Sequence, residues 1–478
     1  MQALLFSLSV GLTLSSCLGY ALLFAPHARA QSGNFSDVTG PDLIELVPRP
    51  DNTTTEQTPL APLDPVATPP GSPERTTYET AIQNATPAQG SQLVEGYQTQ
   101  VTANHLGLDL DTAELTPAET ASVLERSAQL SGQNAVFAQI VALANQAQIY
   151  VTGPQAGTPS APVALDSSAS LKQTTQPAAG SDSWFTSQAN QPASKSGVTE
   201  GVTTRFTVPN LHKAQLLQVI QEYQARLSSQ RLSYKQFSQF LYGRLIEPMW
   251  ARLEASGADV LVVSLDDGLR GLPLAALYDG EQFLIEKYAI AVVPSFGLTD
   301  VGFKDVRSLP MLAMGASEFT DLEPLPAVPV ELQGITEQFN RGQANRDSMN
   351  RDQMNGNQTF LNQDFTATNF QQQNQTGQYD VIHLATHGQF ERGQLQNSFI
   401  QFFDRRVSLP ELRNIVMELG WINTPEAPVE LMTLSACQTA MGDNLAELGF
   451  AGLAVQVGVK SVVASLWQVS DLGTLALM

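Results

Sequence analysis

Two short apolar runs in this chain end in residues able to do covalent chemistry. Val381-Ile382-His383-Leu384-Ala385 leads into Thr386-His387-Gly388, and Leu431-Met432-Thr433-Leu434-Ser435 leads into Ala436-Cys437-Gln438. A thiol with a pKa of about 8.5 is mostly protonated at neutral pH, and a nearby imidazolium stabilises its thiolate. Such a thiolate attacks a peptide carbonyl, and the imidazole then protonates the departing amine. Gly388 has no side chain, so its N–H can approach the developing oxyanion; the Cys437 N–H is the candidate second donor. One such donor is worth about 10²–10³ in rate. A lone cysteine is more often a small buried hydrophobe. Here the strand-end position and the small or polar neighbours Ser435, Ala436, Gln438 and Thr439 favour a nucleophile. His383 lies four residues before His387 in the same run, on the same side but deeper, and reads as a core histidine or one that supports the site. A zinc pair His383/His387 is disfavoured, because H-x-x-x-H converges on a helix and not on a strand.

The elements that must position these residues are legible as apolar runs. Val260–Leu265, Tyr288–Val293, Met311–Gly315, Val381–Ala385, Leu431–Leu434 and Ser461–Leu466 each have the length of a strand buried on both faces. Amphipathic stretches lie between them at Val330–Phe339, Leu409–Leu419 and Leu445–Val457. This alternation predicts an α/β fold. In an open parallel sheet, ligands bind outside the carboxyl ends of the strands. If the strands preceding His387 and Cys437 are parallel neighbours, both residues project from one edge. The Asn- and Gln-rich stretch Asn340–Gln375 predicts a flexible insertion beside the sheet. Upstream, Thr116-Pro117-Ala118-Glu119 opens a helix reaching about Leu130, with Thr116 as cap and Pro117 in the first turn. Ala135–Leu143, Gln148–Thr152 and Val202–Val208 read as strands, and Leu211–Leu227 as a helix. A second helix runs from Tyr234 to about Leu253, with Pro248 predicting a kink or restart. No internal repeat of 30 to 45 residues is evident.

The 478 residues carry a formal net charge of −21, with 46 acidic and 25 basic side chains. That balance argues against a nucleic-acid partner and against docking on anionic lipid through charge. Only 15% of residues are charged, against about 25% in ordinary domains, so long polar uncharged segments accompany the folded part. Two cysteines exclude a disulfide scaffold, an iron–sulfur centre and a thiolate zinc site. With no phosphate-binding glycine loop and no cluster of metal ligands in the sequence, no cofactor is expected. Ala3 to Phe24 is apolar, and Ala28-Arg29-Ala30 follows as a cleavage site, predicting a signal peptide over 1–30 and export to a periplasmic or extracellular location. Two alternatives stay open: residues 3–24 retained as a membrane anchor, and Leu14-Ser15-Ser16-Cys17 as a lipoprotein box. Cleavage after Ala30 leaves Cys437 as the one cysteine. Residues 31–116, rich in Pro, Thr and Gln, read as a disordered linker. Residues 117–300 read as a first α/β lobe containing a loop over 153–200, and 301–478 as the lobe holding His387 and Cys437.

Three segments resemble the CHAT domain, the caspase-like domain found beside TPR repeats in many bacteria. They are Tyr379–Gly388, Leu434–Ala440 and Ala446–Ala454. A histidine about 50 residues before the cysteine is also the caspase arrangement. Further points of similarity are Leu241-Tyr242, Leu245-Ile246, Pro273 with Ala275-Ala276-Leu277, Pro294-Ser295-Phe296, Leu361-Asn362 with Asp364-Phe365-Thr366, and Ser465–Asp471. The resemblance covers about Gly132 to Met478. It implies a mostly parallel caspase-like sheet with helices on both faces, preceded by a non-catalytic lobe and a disordered N-terminal region. It also implies a cysteine endopeptidase with His387 as acid/base, Cys437 as nucleophile and a protein as substrate; the alternative is an inactive caspase-like scaffold or regulator. Leu466–Asp471 is similar to a separase segment whose aspartate sits in the pocket for a basic residue. Asp471 is therefore a candidate carboxylate for a P1 Arg or Lys, with Asp443 a weaker one; the competing role for Asp471 is to cap a helix starting at Leu472. The chain departs from the family in lacking a TPR array and in stopping at Met478, inside an expected helix, which reads as a truncation of the catalytic lobe.

Overall fold

The computed structural model describes residues 73–106, 115–154, 197–229, 233–299, 304–344, 356–389, 397–421, 429–436, 458–465 and 470–478, together with the backbone of Ser7–Ser9. The rest of the signal-peptide reading, residues 31–72 of the linker, the loop over 155–196, the helix at Leu445–Val457, Cys437 and Asp443 lie outside the described residues.

The first unit is built on α1 (Pro73–Asn84), α2 (Pro87–Leu106), α3 (Pro117–Ser131), β1 (Ala135–Ala142), β2 (Gln146–Thr152), β3 (Val198–Glu200), β4 (Thr203–Pro209), α4 (Lys213–Ser228), α5 (Tyr234–Leu245), α6 (Trp250–Ala255), β5 (Val260–Leu265) and β6 (Ala289–Val293). Its six strands form one mixed sheet in the order β3-β4-β2-β1-β5-β6, with β1, β5 and β6 mutually parallel. Pro248 sits in a short 3-10 turn between α5 and α6, where the missing N–H restarts the helix. Thr116 and Glu119 cap α3 reciprocally, and Gly132 ends it at φ +73°. One face of β1 packs Val136, Ala138 and Ile140 against α4 and α5, through Val219, Tyr223 and Leu241. The opposite face packs Phe137 under Leu124 of α3 and Val141 under Tyr78, Ile82 and Val94 of α1 and α2.

Helices α1 and α2 correct the linker reading over residues 73–106. Segment 73–106 shows little apolar periodicity because, beside Val94, α2 buries a polar stripe. Ser91, Glu95, Gln98 and Thr102 recur at helical spacing and are all buried. The Ser91 hydroxyl donates to Gln139 at 2.6 Å, Ser264 bonds Gln98, and a Glu95 carboxylate oxygen accepts from the Gly297 N–H at 2.6 Å. Buried polar groups that find partners are compatible with a packed helix face, though Thr102 Oγ1 and Gln98 Nε2 find none among the described residues, and no hydropathy pattern reveals such a face. Gly90 of α2 lets Tyr150 lie against the helix: a Cβ there would stand 2.3 Å from the tyrosine oxygen. In an exposed helix Gly→Ala gains about 1 kcal/mol. Against a rigid, fully buried ring the overpacking cost of about 1–3 kcal/mol wins. Gly90→Ala is therefore expected to lower the midpoint of denaturant unfolding.

The second unit comprises β7 (Met311–Gly315), α7 (Val328–Ala344), β8 (Gln358–Leu361), α8 (Ala367–Thr376), β9 (Val381–Ala385), β10 (Gly388–Gln389), β11 (Phe399–Gln401), β12 (Arg406–Ser408), α9 (Leu409–Leu419), β13 (Leu431–Ser435), β14 (Ser461–Ala464) and α10 (Asp471–Leu477). Five strands form an all-parallel sheet in the order β14-β13-β9-β7-β8, and Ser7–Ser9 runs parallel along the outer edge of β14. β10, β11 and β12 make a small antiparallel sheet. The central strands are buried on both faces, as their continuous apolar runs require. Leu312, Ile382, Leu384, Met432 and Leu434 meet Phe370 of α8 and Leu412 and Val416 of α9. Met311, Ala313, Val381 and Ala385 meet Val328 and Leu332 of α7. Ser408 caps α9 and Gly420 closes it at φ +69°.

The flexible insertion read at Asn340–Gln375 is largely ordered; within it only 345–355 are not described. Its amides bond backbone groups, with Asn357 Oδ1 accepting from the Met311 N–H at 3.0 Å, while Phe365 and Phe370 anchor it against Phe402. Among the described residues, no helix is long and apolar enough to cross a membrane.

Candidate functional site

β9 and β13 are adjacent and parallel, in the register Val381↔Leu431 through Ala385↔Ser435. The ladder continues one step beyond the strands, where the Thr386 N–H donates to the Ser435 carbonyl at 3.1 Å. β9 therefore delivers His387 to the carboxyl edge of the sheet, two positions past Ala385. The chain then turns into the antiparallel sheet. The Thr386 hydroxyl donates to the Gln401 carbonyl at 2.5 Å, and the Gln401 N–H donates to the His387 carbonyl at 2.9 Å. Bonded pairs alternate with non-bonded ones in an antiparallel ladder. Residues 387 and 401 form the bonded type, so Gly388 and Ile400, the next pair, are of the other type. The Gly388 N–H thus points away from β11.

The half-buried His387 ring has two fixed contacts. Nε2 lies 2.8 Å from the carbonyl oxygen of Glu323, and the Phe319 ring packs at 4.7 Å between centroids, tilted by 59°. A carbonyl only accepts, so Nε2 carries the proton, and in the neutral ring Nδ1 keeps the lone pair. Nδ1 is thus the atom available to take or give a proton. Both contacts come from the loop that follows β7. That loop closes on itself where the Leu325 N–H donates to the Ser317 carbonyl at 2.9 Å.

His383 lies on the α7 side of β9, 3% exposed, with Nε2 2.8 Å from Oε1 of Glu331, itself 2% exposed. The carboxylate accepts the imidazole N–H beneath the site. Asp471 opens α10, but Ser470 is the cap, its hydroxyl oxygen accepting from the Gly473 N–H at 3.0 Å. The competing helix-cap role for Asp471 is thereby corrected: a cap side chain must sit before the first turn, and Ser470 already occupies that place. Asp471 instead reaches across to the residue preceding α7, where Oδ2 accepts from the Ala327 N–H at 2.7 Å. Burial raises the Asp471 pKa above the ordinary carboxylate value; the Ala327 bond lowers it, Glu331 adds to the rise, and His387 opposes it. His387 and Asp471 thus share one electrostatic neighbourhood.

The groups that hold His387 and Asp471 — the Glu323 carbonyl, Phe319 and the Ala327 N–H — were not singled out from the sequence. Two of them act through the backbone, where residue type gives no signal. Among the described residues no group of three or more His, Cys, Asp or Glu side chains converges as a metal site.

The CHAT domain family model matches residues 235–478, just over half of the chain. The match begins inside α5, so it takes in β5 and β6 of the first sheet but none of α1–α4. No curated protein matches the chain.

Proposed function

The chain belongs to the CHAT family of caspase-like peptidases, and from that premise we propose that it is a cysteine endopeptidase acting through His387 and Cys437. The observation that carries this reading is the register of β9 with β13. Ala385 and Ser435 are paired, and His387 and Cys437 each follow two residues later. The Cys437 thiolate, formed by proton transfer to Nδ1 of His387, attacks the scissile carbonyl. The oxyanion is met by the N–H groups of Gly388 and Cys437. Collapse of the tetrahedral adduct breaks the C–N bond as Nδ1 returns its proton to the leaving amine. Water then hydrolyses the thioester with His387 as base, restoring the thiol.

Asp471 is the proposed carboxylate for a P1 Arg or Lys, with Asp443 as the weaker candidate. Its electrostatic link to His387 supports that placement. Raised carboxylate pKa values are a mark of functional sites. The informative substitution is Asp471→Asn, which keeps an oxygen for the Ala327 N–H and removes only the charge. Losing a desolvated charge partner costs about 2–5 kcal/mol, so kcat/KM on P1-Arg peptides is expected to fall at least about 30-fold, with P1-Met peptides little affected. Stability should move the other way. A carboxylate whose folded pKa is raised stabilises the fold below its ordinary pKa, and that contribution is lost as pH rises through the folded value. Asp471→Asn is therefore expected to melt no lower than wild type at pH 7, with the gap closing in acid.

The reading as a whole is tested with a P1-Arg electrophilic ketone. Covalent labelling should map to Cys437 by mass spectrometry and disappear in Cys437→Ala. Absence of label, together with no hydrolysis across a P1 Arg, Lys, Met and Asp panel, would leave a non-catalytic scaffold.

A further inference from the structure

We propose that Asn362 is a positioning residue for His387, setting its tautomer through the loop that follows β7; the catalytic consequence rests on the peptidase reading above. Asn362 sits at the end of β8 with φ +51°, in the left-handed region where asparagine is among the few non-glycine residues at ease. From there its Oδ1 accepts three donors on the β7 loop: the Ser317 N–H at 2.8 Å, the Ser317 hydroxyl at 3.2 Å and the Glu318 N–H at 3.3 Å. One residue after Glu318 comes Phe319, whose ring packs on His387. Ser317 also closes the loop through its carbonyl, which accepts from Leu325. Two residues before Leu325 is Glu323, whose carbonyl takes the Nε2 proton.

The far end of the same loop is held by Asp471 through the Ala327 N–H. Glu318, Thr320, Asp321, Glu323 and Pro324 are exposed, and Phe319 and Leu325 are only partly buried against the neighbouring cores, so apolar packing alone does not fix the loop between its two ends. Hydrogen bonds complete its placement, and at the β7 end three of them converge on one oxygen. If that oxygen is lost, the Glu323 carbonyl is no longer held opposite Nε2. The ring can then carry its proton on Nδ1, the atom that has to be a base.

The test separates the oxygen from the backbone conformation. Asn362→Gly keeps the φ and loses the acceptor. Asn362→Asp keeps an acceptor and tolerates the φ. Protein with ring-¹⁵N-labelled histidine, compared with His387→Gln for assignment, should show His387 in the Nε2–H form in wild type and Asn362→Asp. Asn362→Gly should show a mixture of tautomers. In P1-Arg hydrolysis, Asn362→Gly should lower kcat by about tenfold or more with KM little changed, and Asn362→Asp should recover most of it. If Asn362→Gly does not fold, Ser317→Ala removes one of the three donors and should shift the tautomer ratio in the same direction by less. A wild-type tautomer in every folded variant overturns the proposal. A tautomer shift in a protein that hydrolyses nothing overturns the peptidase reading and leaves the positioning role standing.

Discussion

Cys437→Ala is expected to abolish peptide hydrolysis, and His387→Ala to lower kcat by at least about 10³-fold; the double variant should be no worse than the worse single one. The non-additivity is the diagnostic part. Nucleophile and base act as a unit, so once the thiol is gone the imidazole has no proton to take, and whatever remains comes from binding and oxyanion donors. A histidine that merely filled space at the sheet edge would give independent, additive losses. The size expected for His387 follows from two roles. It generates the thiolate, which a thiol of ordinary pKa provides only as a few per cent at neutral pH. It also protonates an amine leaving group, which contributes typically about 10²–10⁴. A substrate with a leaving group that needs no proton, such as a thioester, should lose less in His387→Ala than an amide does. Measured kcat/KM for the matched amide and thioester decides this. Equal losses on both would assign His387 to thiolate formation alone.

The strands that carry the site could be read from the sequence because they obey a simple rule. A parallel strand covered on both faces must be apolar throughout, and Val381–Ala385 and Leu431–Ser435 are nearly so. Their adjacency and register could not be read, since nothing local encodes which strands pair. The supports of His387 were hidden for a different reason. Glu323 and Ala327 serve through the peptide group, and a carbonyl or an N–H is the same in every residue type. Glu331 meets His383 across 52 positions of sequence; its side chain appears from the sequence only as an acid in the first turn of an amphipathic helix. Asn362 was visible as a point of family resemblance, but its use as a triple acceptor needs the φ and the neighbouring loop. β8 and α8 were concealed by composition: Asn and Gln read as low complexity, yet here the amides of Asn357, Asn362 and Gln343 bond backbone groups that would otherwise be orphaned.

The largest stability effect is expected at Asp266, and it bears on why segment 73–106 belongs to the fold. Asp266 follows β5 and is fully buried. Arg75 of α1 meets it in a two-pronged pair, Nη1 to Oδ1 at 2.7 Å and Nη2 to Oδ2 at 2.6 Å. The guanidinium also donates to the Ala142 carbonyl and to Glu79, and it lies over the rings of Tyr78 and Tyr97. Burial by itself would lower the Arg75 pKa, but the bonds and charge of Asp266 outweigh it, so the group stays fully cationic. Asp266 in turn accepts from the Ala142 N–H at 3.1 Å and has Lys213 at 3.9 Å. Asp266→Ala leaves a buried guanidinium, an orphaned amide at the end of β1 and a small void, so about 3–5 kcal/mol should be lost. Arg75→Ala should cost less, because Asp266 keeps Lys213 and the Ala142 N–H, and α1 can lift so that water reaches the carboxylate. Amide exchange would show that lifting as loss of protection in α1 and α2 before β1 or β5. A double change, Arg75→Met with Asp266→Leu, removes both charges and should recover much of the Asp266→Ala loss, since replacing a buried pair by apolar groups of similar size is often neutral. Unfolding midpoints for the two single variants and the double decide it: a double variant as unstable as the sum of the singles would mean the pair's charges are not what holds α1 to the sheet.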